Sequence, residues 1–116
     1  MSSLQSSNNL QSLQDFCDIH HATLVMFTSE SSEICKKLIP LIQKVARKYP
    51  DEEIGFLGVE MNDLSRDIIN FYWVSPPPPA TFILFNRIDR IAYLSYPDPA
   101  LGSEEDLINW LSERIK

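Results

Sequence analysis

Two cysteines, two histidines and three glycines are spread over 116 residues. Each scarcity excludes something. A small secreted scaffold held by disulfides would carry more sulfur, so Cys17 and Cys35 read as reduced thiols, and the expected compartment is the cytosol. His20 and His21 are adjacent, their side chains point apart, and no Cys/His cluster accompanies them, so neither a metal site nor a bound cofactor is expected. No apolar run approaches the ~20 residues of a membrane helix. The opening "MSSLQSSNN" has neither a basic end nor an apolar segment, which argues against a secretory signal. Basic residues are also few. Ten Lys and Arg stand against sixteen Asp and Glu, for a net charge of −6. They read as scattered, with Lys36-Lys37 the longest run, and this argues against nucleic-acid binding. An acidic surface implies solubility and a mild preference for basic partners.

What is present is a regular alternation of elements. Residues 1–8 read as a polar tail, and 9–116 as one domain. Leu10, Leu13, Phe16 and Cys17 fall at helical spacing behind the cap candidates Asn8 and Asn9, giving a helix over about 9–19. "ATLVMFT" (22–28) is a buried strand. Ile34, Cys35, Leu38, Leu41, Ile42, Val45 and Ala46 form the apolar stripe of a long helix over about 31–49. Pro40 lies inside it and should kink it. "EIGFLGVEM" (53–61) is a second strand, and "NDLSRDIINFYWV" (62–74) a short helix. "SPPPPA" (75–80) can be neither helix nor central strand. "TFILF" (81–85) and "RIAYLSY" (90–96), joined by "NRID", read as a hairpin. Ser103 with Asp106 caps a terminal helix over 103–116. The order predicts an α/β domain: a mixed sheet of about four strands with helices on both faces.

These landmarks resemble the thioredoxin fold over about residues 9 to 116. The resemblance is most specific in "LVMFTSESSEICKKLIP" (24–40). Cys35 falls where the second cysteine of C-x-x-C stands, and Pro40 falls on the proline five residues later. "PATFILFNRIDRIAYL" resembles the family's strand, tight turn and antiparallel strand, and "SEEDLINWLSERI" its last helix. The resemblance implies a thioredoxin-like fold and a docking face at the cysteine end. The departures fall on the chemistry. Ser32 stands at the attacking cysteine and Ser31 at the tryptophan before it. Glu33-Ile34 replaces Gly-Pro, and Met26 stands at the buried acid. The cis-proline position falls on Ala80 with the strand in register, or on Pro79 if the loop bulges.

Thiol–disulfide exchange needs a thiolate at the exposed first position of the helix, where the dipole and free N–H groups acidify it. A serine hydroxyl is too weak an acid to replace it without a dedicated base. The two-step dithiol route is therefore closed to this chain. Cys35 reads as a packed thiol one turn in, and Cys17 as core. The expected function is a non-catalytic module that binds a protein or an extended peptide on the former active-site face. Its candidate residues are Ser31, Ser32, Glu33, Ile34, Trp73, Pro78, Pro79 and Ala80. Two alternatives stand beside it. One is a thiol-dependent redox protein, acting through Cys35 alone or through a dithiol if serine at 32 replaces a native cysteine. The other is a structural subunit that uses the architecture only as a scaffold.

Overall fold

The computed structural model describes residues 4–6, 9–28, 33–49, 53–60, 80–87, 89–95 and 98–115. Within them, strands β1 (Leu4–Ser6), β2 (Ala22–Thr28), β3 (Ile54–Glu60), β4 (Ala80–Asn86) and β5 (Asp89–Ser95) form one sheet in the order β1-β3-β2-β4-β5. β2 runs parallel to β3 and antiparallel to β4, and β5 is antiparallel to β4. The helices are α1 (Leu10–Asp18), α2 (Glu33–Ala46) and α3 (Glu104–Arg114), with a 3-10 turn at Pro99–Leu101. The helix expected over 62–74 and the segment 75–79 lie outside the described residues.

The sheet has five strands, one more than the sequence reading expects. The addition is Leu4–Ser6, part of the stretch read as a tail. It pairs in parallel with Phe56–Gly58. Three residues of mixed polarity carry no period-2 signal of their own. They form a strand because β3 offers an unpaired edge.

β2 sits centrally and is buried on both faces, which accounts for its nearly continuous apolar run. Its alternate residues serve two cores. Leu24 and Met26 join Phe56, Phe82 and Leu84 under α2 and α3. Val25 and Phe27 join Leu57, Ile83 and Phe85 under Leu13 and Cys17 of α1. The apolar stripe of α2 faces the first core through Cys35, Leu38, Ile42, Val45 and Ala46. Pro40 lies on the exposed side of α2, where water can satisfy the carbonyl its missing N–H leaves unpaired. The caps are those the residue types predict. The Asn9 side chain accepts from the Ser12 N–H at 2.8 Å, and Ser103 Oγ accepts from the Asp106 N–H at 3.1 Å.

Two contacts anchor the end of α1. A Cβ on Gly55 would lie 2.6 Å from Phe16 Cε1 and 2.8 Å from His20 Cγ, so only glycine lets that end of α1 settle on β3. His20 is buried, its Nδ1 donates to the Phe16 carbonyl at 2.7 Å, and its ring stacks on Phe16 at 4.3 Å. In the β4–β5 turn, Arg87 adopts φ 59°, and its Nη1 donates to the Asp18 carbonyl at 2.6 Å. This ties the hairpin to the end of α1. The left-handed conformation costs a non-glycine residue about 1–2 kcal/mol, while the hydrogen bond contributes about 1 kcal/mol. Arg87→Ala keeps the strain and loses the bond, so urea titration should show a loss of about 1 kcal/mol. Arg87→Gly removes both and should recover at least that much. If Arg87→Gly is less stable than Arg87→Ala, the conformational argument fails.

Candidate functional site

The site is positioned by one pairing. β2 ends at Thr28 and β4 begins at Ala80, and these two residues are partners in the antiparallel ladder. The segment containing Ser31 and Ser32 therefore leaves the sheet beside the point where the segment containing Pro78 and Pro79 enters it. α2 begins at Glu33, five residues after Thr28. The two stretches are far apart in sequence yet attached at the same end of the sheet. Ser31, Ser32, Trp73, Pro78 and Pro79 lie outside the described residues. Glu33 is exposed and Ile34 half-buried at the start of α2. The backbone of Ala80 continues β4 by one residue before Thr81, the first residue of the expected strand.

Cys35 is the third residue of α2 and is 2% exposed. It belongs to the first core, together with Met26, which is 1% exposed. Met26 is the residue at which the resemblance expects a proton-relaying acid. A thioether in that position cannot accept and release protons, and Met26 is paired across the ladder with Phe82 in an apolar core. Among the described residues, the charged groups in the first turn of α2 are exposed, and Lys36 Nζ pairs with Glu33 Oε1 at 3.5 Å.

Cys17 lies in the second core, on the opposite face of the sheet. Neither cysteine is in a disulfide, and the sheet stands between them. Burial pushes the Cys17 thiol up to about 11, with the Thr23 hydroxyl beside it pulling the other way. That second effect is small, since Thr23 Oγ1 makes no contact of hydrogen-bond geometry. Cys17 is thus held neutral as a core residue.

Two small cavities, of about 110 and 130 Å³, include Ile54 and Ala22 in their walls. These residues begin β3 and β2 and are paired with each other, so both cavities lie at the end of the sheet away from Thr28 and Ala80. Among the described residues no group of three or more His, Cys, Asp or Glu is placed to hold a metal ion. No helix among them is long and apolar enough to cross a membrane.

Comparison with solved structures identifies the architecture as the thioredoxin fold. A mutant thioredoxin from Halobacterium salinarum NRC-1 superposes with a TM-score of 0.80 at 17% identity, over 98% of this chain and 92% of that one. Oxidised thioredoxin from Plasmodium falciparum gives 0.78 at 14% identity, over 98% and 100%. Mitochondrial thioredoxin 3 from Saccharomyces cerevisiae, in its oxidised form, gives 0.74 at 19% identity, over 95% and 94%. No protein-family model and no curated protein sequence matches the chain.

Proposed function

We propose that the chain is a non-catalytic binding module of thioredoxin fold, which receives a protein or an extended peptide at the Thr28–Ala80 end of its sheet. The observation that carries this reading is Cys35. It is the lone cysteine of the motif, buried at 2% exposure, with Ser32 at the position where an attacking thiolate is required. Met26 in place of an acid removes the proton relay as well. Support for a binding role comes from the side-by-side attachment of the two rebuilt segments. An extended peptide can pair with backbone there, with side-chain specificity drawn from Ser31 to Ile34 and from Trp73 and Pro78 to Ala80.

The test is reduction of insulin disulfides in the presence of dithiothreitol. The chain should give no rate above the dithiothreitol background. Ser32→Cys should gain a dithiol that closes to a disulfide on oxidation, read as the loss of two free thiols by mass spectrometry after alkylation. Robust turnover by the unaltered chain would establish the competing reading, a thiol-dependent redox protein working through Cys35.

A further inference from the structure

Half of the basic residues in this acidic chain lie in one helix and the turn that follows it. Residues 33–48 contain Lys36, Lys37, Lys44, Arg47 and Lys48, with Glu33 as their sole acid. All six charged side chains are exposed. The segment therefore carries a net charge of +4. The remaining residues hold five basic and fifteen acidic groups, a net of −10, which with +4 gives the total of −6.

Helical geometry gathers these charges into two rows. At about 100° per residue, Lys37, Lys44 and Lys48 share one row, and Lys36 and Arg47 the next. The rows run along the outer face of α2 for about 18 Å at about 1.5 Å per residue. They begin beside Cys35, at the end of the sheet where the binding reading places its partner. Lys36 is partly offset by Glu33 at 3.5 Å, and Lys48 by Glu104 of α3 at 3.8 Å. Lys37, Lys44 and Arg47 form no ion pair among the described residues. Glu104 and Glu105, with Lys48 and Ser103, line the groove at the far end, so the positive strip ends there against carboxylates.

We infer that the outer face of α2 docks an acidic segment of a protein partner. The inference rests on the binding reading and gives that partner its chemistry. Charge complementarity selects the occupant. Like-signed charge on this strip serves no packing role, since the buried face of α2 is wholly apolar. A nucleic acid is disfavoured because the rest of the chain carries a net charge of −10, and residues 33–48 contain no aromatic side chain to stack a base. A membrane surface is disfavoured because the exposed face offers only Pro40 as an apolar group, which is too little to anchor an interfacial helix. A short run of Glu and Asp fits within the strip without meeting Glu104 and Glu105.

The test uses isotope-labelled protein titrated with a short peptide of alternating glutamate and serine, followed by backbone amide shifts. Shifts should saturate and concentrate on residues 36 to 48. Affinity should fall as salt is raised towards physiological strength, where the screening length is about 8 Å. Lys37→Glu, Lys44→Glu and Arg47→Glu together should weaken binding at least about tenfold, or ~1.4 kcal/mol. The three glutamine replacements should give an intermediate loss, with unchanged circular dichroism for both variants. Absence of saturable shifts, or shifts centred away from α2, overturns the inference. So does tighter binding of a single-stranded oligonucleotide of equal length or of phosphatidylserine vesicles. Shifts at Glu33 to Cys35 and Thr81 that survive all the charge changes would keep the binding reading while overturning this one.

Discussion

Phe82→Ala should destabilise the fold by about 3–5 kcal/mol. Phe82 is fully buried in the middle of β4, is paired with Met26 and Leu94, and lies in the core under α2 and α3. Removing the ring loses its transfer free energy and leaves a cavity. Neighbours held in two ladders and under two helices cannot close it. A domain of this size has a total stability of about 5–15 kcal/mol, so the variant falls near the limit of folding. Phe82→Leu keeps most of the volume and should cost less than half as much. The check is the urea midpoint at constant slope. A loss below about 1.5 kcal/mol for the alanine variant would mean that this core repacks freely.

The second large effect is a loss of stability in alkali. The Cys17 thiol rises from its ordinary 9.0 to about 11 because it is buried on the face under α1. Below pH 9 both the folded and the unfolded thiol keep their proton, and stability does not depend on this group. Between 9 and 11 the unfolded chain releases the proton while the folded chain holds it. The unfolded state then binds fewer protons, so stability falls as pH rises. Above 11 both forms are ionised and the loss levels off. The interval is about two pH units at about 1.4 kcal/mol each, a loss of about 2–3 kcal/mol. The quantity to measure is the difference in slope between the unaltered protein and Cys17→Ala, which isolates this group. The alanine variant starts lower, since it leaves a small cavity, but should lose less stability between pH 9 and 11. Equal slopes would mean that the folded thiol reaches solvent.

The parts of this fold that sequence makes legible are those governed by local chemistry. The Asn9 and Ser103 caps, the stripe of α2 and the runs of β2, β3 and β4 all follow from side-chain type and spacing. β1 escapes because its formation depends on β3 and not on Leu4, Gln5 and Ser6 themselves. Arg87 escapes because nothing about an arginine announces a positive φ; its carbonyl partner is 69 residues away. Gly55 is one of three glycines, and its role appears only when Phe16 and His20 are seen against it. The basic face of α2 is a different failure. Read linearly, Lys36, Lys37, Lys44, Arg47 and Lys48 look dispersed, and only the helical period places them together. For the candidate site, the packed thiol at 35 follows from the helical spacing of α2, whereas the reading of Ser32 as the attacking position rests on the resemblance alone. The resemblance groups residues 31–34 with 78–80 on one face, but only the pairing of Thr28 with Ala80 shows the end of β2 lying beside the start of β4.

The proposed function turns on whether Cys35 can do chemistry in the folded protein. The decisive measurement is the rate of its alkylation by iodoacetamide in Cys17→Ala, native and in denaturant, across neutral to mildly alkaline pH. A thiol that is 2% exposed in the core under α2 should react in the native protein only as fast as the chain opens. The native rate should fall orders of magnitude below that in denaturant and rise steeply with added urea. A native rate equal to or faster than that of the unfolded chain would contradict the claim and return Cys35 to the status of an active thiol.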